Sequence, residues 1–367
     1  MCNVRKGVIR VQGPSVTVIG AGIAGASVAY HLAQGGARVT VLESCPAAAA
    51  GVTGRSFGWV SLGNVMPAEN IDLFLLRKRA VREFNRLERE WRGGLRKSTR
   101  GALLWRSTEQ ATIALVDGHH AHGSAVSALS SARFSEMEPS VISPPCCAAF
   151  AADDFAIEPV ALAKRLLDGV REAGGAVYFG APVEHIVPGN GVEIAIHTPA
   201  WTIRSDFVVI ANGAGVAKLA SHVGALIDIE LSPATLQCFR LMRPLSQHIL
   251  SGPDFELRHS ADGSLLATEW PPDEGENGLA ELAERTIVTL RDRFYGVDGI
   301  LLQSIETADR PLPRGGWPCV GNLPHMKGVF VAVAHPGIVF APLIGRITAD
   351  AILDGKRDPS FANFKSL

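Results

Sequence analysis

The stretch Val16-Thr17-Val18-Ile19-Gly20-Ala21-Gly22-Ile23-Ala24-Gly25, with Glu43 downstream, constrains the fold more than any other part of the chain. It predicts an apolar strand, a tight turn, a helix over Ile23 to Gln34 and a second strand over Arg38 to Leu42. Gly20 permits the turn, Gly22 lets the backbone approach a pyrophosphate, and Gly25 lets helix and strand pack closely. Ile23 and Ala24 begin the helix, whose N-terminus offers free N–H groups and a positive dipole end. Glu43 stands at the distance expected of an acid that binds an adenosine ribose, with Ser44 beside it. The pattern implies a dinucleotide site.

Val16 to Gln34 carries no Asp, Glu, Lys or Arg and follows Arg5, Lys6 and Arg10, which is also how a signal peptide or membrane anchor begins. The strand-then-helix order and the glycines argue against a spanning helix, and cleavage after it would delete the phosphate turn. Residues 1–14 read as a short basic extension. With 367 residues, 47% of them hydrophobic and 19% charged, the chain suits a large buried core divided between two domains. A formal net charge of −1 excludes the basic surface that nucleic acid or an anionic membrane would require. Cys2, Cys45, Cys146, Cys147, Cys238 and Cys319 show no C-x-x-C spacing, which points to a reducing cytoplasm and no metal site. His119, His120 and His122 lie in a Gly/Ala/Ser-rich stretch and read as a solvated loop, within an irregular segment from Ser107 to Ser131.

After the first strand–helix–strand unit comes a long loop, Cys45 to Asn64, whose Gly54, Arg55 and Ser56 suit a backbone wrapped close to an anionic group. An amphipathic helix is expected over Ile71 to Trp91, and a strand over Gly101 to Trp105. A second α/β block starts at Asp154, with a helix from Glu158 to Ala173 and short strands that include Val183 to Val187. The apolar strand Phe207 to Ala211 then runs into Asn212-Gly213, a second point of approach to a cofactor. Alternating strands between Leu231 and Trp270 predict an antiparallel sheet. A last apolar strand, Gly328 to Ala334, leads through His335-Pro336-Gly337 into a helix over Ile338 to Leu353 that is too short to cross a bilayer. The expected fold is therefore α/β, a Rossmann-like dinucleotide domain with an inserted domain built on an antiparallel sheet. Segments 15–92, 151–228 and 299–367 form the first domain, and 93–150 and 229–298 the second. Such interleaving favours a flavin over a nicotinamide, whose nucleotide fold is usually contiguous.

From Val16 to about Leu353 the chain resembles the D-amino-acid oxidase and glycine oxidase family. The resemblance rests on Gly20 to Gly25 with Glu43, on Asp154-Phe155-Ala156-Ile157-Glu158-Pro159, on Val208 to Gly213, and on Arg310-Pro311 through Cys319-Val320-Gly321 to His335-Pro336-Gly337-Ile338. It implies FAD, held by the glycine turn with Val183, Ala211, Gly213, Gly337, Ile338 and Val339. It also implies oxidation of a C–N bond in an amino acid or secondary amine by hydride transfer to flavin N5, giving an imine that hydrolyses. Arg310 matches the arginine that pairs with a substrate carboxylate, a task suited to its planar fork; the alternatives are a surface salt bridge and a strand-end arginine. His335 either lines the substrate pocket or caps its strand. Arg258 is a further candidate for substrate contact. Relatives that bind FAD covalently use a cysteine well before the Pro-x-x-Gly element, whereas Cys319 lies inside it, so FAD is expected to be non-covalent. Some relatives are catalytic subunits of complexes with an additional FAD or iron–sulfur subunit, and others are stand-alone oxidases. A non-catalytic flavoprotein subunit is the rival from another class.

Overall fold

The computed structural model describes residues 13–361 apart from 96, 190–192, 274 and 325; the basic extension expected at the N-terminus falls almost wholly outside this range. Its first sheet has six strands, in the order Cys319–Asn322, Val329–Val333, Phe207–Ile210, Ser15–Ile19, Arg38–Leu42, Ala176–Tyr178. All neighbours are parallel except the first pair. These strands are short apolar runs because both faces are covered. One face carries the helices Ile23–Gln34, Pro159–Glu172 and Gly337–Asp354. The other carries a three-stranded antiparallel sheet, His185–Pro188, Ile194–His197 and Thr202–Ser205, with the short helix Val216–Ser221.

Glycines set the helix spacing. A Cβ on Gly25 would lie 2.0 Å from the Gly20 carbonyl oxygen, and one on Gly345 would lie 2.3 Å from Ser27 Oγ. The helices Ile23–Gln34 and Gly337–Asp354 therefore approach the sheet and each other more closely than any side chain would allow.

The second sheet has nine strands. Its main path runs Leu301–Pro313, Ile229–Arg240, Leu265–Glu269, Glu256–His259, Ile249–Ser251, Lys97–Leu104, Cys147–Ile157, Trp59–Val60, with Val126–Ser130 also paired to Cys147–Ile157. One face packs on the helix Leu279–Arg293, where Gln237 donates to Thr286 Oγ1 at 2.9 Å. The other face looks toward the first sheet.

The α/β architecture with an antiparallel second sheet matches the expectation, but the crossing points differ. Position 151 falls inside the strand Cys147–Ile157, so the second sheet continues past it. The strand Leu301–Pro313 also belongs to the second sheet, pairing along its length with Ile229–Arg240, and the chain re-enters the first sheet at Cys319. Even Trp59–Val60, from the first segment, pairs into the second sheet.

The segment from Ser107 to Ser131 is regular. It holds the helix Glu109–Ala121, capped by Thr108, whose side chain accepts from Ala111 N, followed by the strand Val126–Ser130. His119 is buried in that helix, against Phe74 and 3.2 Å from the Gly63 carbonyl, rather than solvated. Small residues gave the segment a loop-like composition, yet Thr112, Leu115, Val116 and His119 form one buried face at helical spacing.

His31 links the helix Ile23–Gln34 to the helix Ile71–Glu90 as a neutral ring. Its Nδ1 donates to Ser27 O at 2.8 Å, and its Nε2 accepts from Arg86 Nη2 at 2.8 Å. Desolvation, with a smaller contribution from Arg86, pushes its pKa down to about 4. The unfolded chain takes up this proton below about 6.5 while the folded chain does not, so His31 removes stability as pH falls from about 6.5 to about 4. Urea denaturation of wild type and His31→Gln across that window should give a steeper acid-side loss in wild type; parallel curves would refute the assignment.

Candidate active site

A cavity of about 1040 Å³ runs from the glycine turn to the face of the nine-stranded sheet. At one end lie Gly20, Gly22, Ile23 and Ala24, with Glu43 and Ser44 after the second strand. Gly20 has φ +105°, and a Cβ there would meet the Ala211 carbonyl oxygen at 2.6 Å. Glu43 ties the turn to its strand: Oε2 accepts from Ala21 N at 2.7 Å, and Oε1 from Cys45 N at 2.8 Å and Ser44 Oγ at 3.1 Å. A carboxylate has about four lone-pair sites, so Glu43 keeps capacity for a ribose hydroxyl while it braces the turn. Thr53 Oγ1 accepts from Ile23 N at 3.0 Å, leaving Gly22 N and Ala24 N without an acceptor among the described residues.

The cavity is also lined by Arg55 and Ser56 from the long loop, by Val183, and by Ala211, Asn212 and Gly213 after the strand Phe207–Ile210. Gly337 and Ile338, at the start of the last long helix, complete this wall. Asn212 Oδ1 is buried without a partner. Free helix N-terminal N–H groups, a turn that only glycine can make, and an orphaned amide oxygen suit a dinucleotide.

Three of the residues expected around the cofactor do not line the cavity: Gly25 provides the close packing expected of it, Gly54 sits where a Cβ would lie 2.5 Å from Ala49 O, and Val339 is buried in the core. Arg55 does line it, but its guanidinium is engaged. Nη1 donates to Ala50 O at 2.6 Å, and Nε pairs with Glu306 Oε2 at 2.9 Å, fastening the loop to the strand that carries Arg310.

Arg258 is not a substrate contact. It shares a sheet face with Glu256, as alternation predicts, but the loop at Phe57 and Gly58 covers it and it is 0% exposed. Its Nε donates to Phe57 O, Nη1 to Ser98 Oγ, Glu158 Oε1 and His259 O at 3.0 Å each, and Nη2 to Ile157 O at 3.2 Å. Asp154 anchors the same loop further on, accepting from Trp59 Nε1 at 3.0 Å and Leu62 N at 2.9 Å. Full burial pushes Asp154 up to about 7 against the pull of these donors. The acids of the segment Asp154 to Pro159 therefore hold the long loop in place.

At the far end Arg310 and His335 come together. Arg310 donates through Nε to Ser232 O at 3.2 Å and through Nη2 to Ser232 Oγ at 2.7 Å, and its guanidinium lies 4.8 Å from the Trp270 ring centre. It forms no ion pair within 4.0 Å among the described residues, so the surface-pair alternative is not what the structure shows. Desolvation lowers its pKa. His335 lines the cavity, and burial, with Arg310 and Arg77 nearby, pushes it down to about 4, so it is neutral above that pH. Sequence reasoning missed Thr53, Trp270, Thr268 and Glu256. The last two could have been found from their alternation with buried apolar neighbours on adjacent strands.

The family model described as FAD dependent oxidoreductase (DAO) matches residues 15–351. The chain belongs to this family of FAD-dependent oxidoreductases. It is 26% identical over 362 residues to the glycine oxidase of Bacillus licheniformis, covering 92% of each chain. In structure it is similar to the glycine oxidase of Geobacillus kaustophilus, with TM-score 0.83, 21% identity, and 96% and 100% of the two chains covered. The iminodiacetate oxidase of Chelativorans sp. BNC1 gives TM-score 0.80 at 19% identity, with 94% and 96% covered.

Two substitutions test the construction. Gly20→Ala places a Cβ against Ala211 O in a backbone conformation that disfavours it, and the purified protein should lack visible flavin absorbance. Arg258→Ala removes a fully buried cation and strands Glu158, so it should lower unfolding stability by about 3–5 kcal/mol in urea titration.

Proposed function

We propose that this chain oxidises the C–N bond of an amino acid or secondary amine carrying a carboxylate, using non-covalently bound FAD. Arg310 carries the reading: a desolvated guanidinium, fixed by Ser232 and Trp270, lines the cavity with no carboxylate of its own. Planar recognition of a carboxylate by two N–H groups orients the substrate α-carbon, and such positioning supplies much of the rate. When bound, FAD supplies the two-electron acceptor for the hydride that leaves this carbon. The glycine turn, Glu43, Asn212 and the residues at Gly337 and Ile338 would hold it. His335, neutral above about pH 4, adds no positive charge beside Arg310 and can exchange a hydrogen bond with the substrate amine. The imine leaves and is hydrolysed in water.

Non-covalent attachment is supported by the position of Cys319, which is partly buried against the apolar cluster of the six-stranded sheet and does not line the cavity, its thiol pushed up to about 12 by burial. Acid precipitation should therefore release the yellow colour to the supernatant. The described cysteines are all free, which supports a reducing, cytoplasmic setting; no helix among the described residues is long and apolar enough to cross a membrane. For re-oxidation, the sequence resemblance supports electron transfer to a partner subunit carrying FAD or an iron–sulfur cluster. The full-length likeness to proteins named oxidases supports direct use of O2. Oxygen uptake compared with dye reduction separates the two.

Anaerobic mixing with a panel of glycine, sarcosine, proline and the two enantiomers of larger amino acids should bleach the flavin band with at least one of them. Arg310→Lys should then lower kcat/KM for that substrate by about 10- to 100-fold, because the bidentate fork is lost. Unchanged kinetics would exclude the carboxylate role.

A further inference from the structure

Glu256 stands on the strand Glu256–His259 and lines the cavity with Arg310, Thr268, Ala234 and Ala308. Strand register puts these residues on one sheet face. Ser232 lies opposite Arg310 and Ala234 opposite Ala308, while Leu236 faces Thr268. Leu257 pairs with Ala267, which brings Glu256 beside Thr268. Between the two charged residues the cavity is lined by Ala234, Ala308 and Thr268, with the Trp270 ring against Arg310 and Leu236 beside Thr268 on the same face. Arg310 and Glu256 are separated by three strand spacings across the sheet and about four residues along it, roughly 19 Å between backbones before either long side chain reaches inward.

The Glu256 carboxyl is poorly satisfied. Ser251 Oγ donates to Oε1 at 3.4 Å, and Oε2 has no hydrogen-bond partner among the described residues. Arg106 is the nearby charge, but its guanidinium donates to Asn64 O and forms no ion pair with Glu256 within 4.0 Å. Desolvation pushes Glu256 up to about 7, with Ser251 and Arg106 pulling the other way. A partly desolvated carboxyl whose nearest cation forms no direct ion pair with it is stabilised further when a ligand supplies one. Anchoring a substrate carboxylate on Arg310 makes no use of it.

We propose that Glu256 determines specificity by accepting a second, distal cationic nitrogen of the substrate, so that the preferred substrates are amino acids or amines with an extended basic side chain. The proposal rests on the carboxylate role of Arg310 for the orientation of that substrate. Arg310 holds one end, the small residues Ala234 and Ala308 leave room for the methylenes, and Glu256 receives the amino or guanidino group.

The test is anaerobic titration of the FAD-loaded enzyme with 6-aminohexanoate, hexanoate and hexylamine, following the perturbation of the flavin spectrum. Wild type should bind 6-aminohexanoate about 10- to 100-fold more tightly than hexanoate, and Glu256→Gln should bring that ratio close to one. A wild-type ratio at or below one, or an unchanged ratio in Glu256→Gln, overturns the proposal. Hexylamine has no carboxylate and reads Glu256 alone: its affinity should fall about tenfold or more in Glu256→Gln, and no change overturns the proposal. Arg310→Lys should weaken hexanoate and leave hexylamine unaffected. If hexanoate is indifferent to Arg310 while hexylamine still depends on Glu256, the carboxylate reading fails and the cation site stands. Turnover of lysine against norleucine, each as both enantiomers, gives the same comparison in wild type without any variant, and a preference for norleucine overturns the proposal.

Discussion

A single buried guanidinium joins the two halves of this molecule. Arg258 belongs to the nine-stranded sheet, yet its donors reach Phe57 O in the long loop, Ile157 O at the end of the strand Cys147–Ile157, and Glu158 at the head of a helix that packs on the six-stranded sheet. Gly58 has no side chain because a Cβ there would lie 2.3 Å from Ile157 O and 3.0 Å from Arg258 Nη2. A buried cation without such partners would be strongly destabilising, so the loop, the helix and the strand must meet in one arrangement. The cavity lies beside that junction, and the loop residues that line it inherit their positions from it.

The two ends of the cavity use different physics. At the glycine turn the backbone is the recognition element, and side chains such as Glu43 and Thr53 act by bracing it. At the sheet face the backbone is a platform, and recognition passes to side chains that stand on it at alternate positions: a cation with an indole ring against it, a carboxyl, and between them Ala234, Ala308 and Thr268. His335 adds a hydrogen-bonding ring without adding charge, because burial and two neighbouring guanidinium groups oppose its protonation.

Much of this was legible in the chain itself. The helix Ile23–Gln34 and the strand Arg38–Leu42 fall where the glycine turn and hydrophobic runs place them, since short buried parallel strands leave little latitude in their pattern. Arg310 and His335 were readable through the order of motifs around them, and the structure brings both to one cavity. The placement of Arg258 was half legible: the alternating pattern put it on a strand of the antiparallel sheet, but no local pattern announces that a loop two hundred residues earlier will cover it. The crossings between sheets were missed for a related reason. Leu301–Pro313 and Cys147–Ile157 are long strands whose pairing partners, not their composition, decide which sheet they join. The helix Glu109–Ala121 was hidden by small residues, although its buried face repeats at the right interval.

The ion pair between Arg55 and Glu306 joins the two ends of the cavity. Glu306 and Arg310 lie on the same strand, at the outer edge of the nine-stranded sheet, where one side has no neighbouring strand to hold it. The loop that wraps the nucleotide end thus also steadies the strand that carries the carboxylate anchor. The two ends of the cavity are therefore fastened to each other by a side-chain pair as well as through the sheets, so a substitution in the loop at one end also touches the anchor at the other.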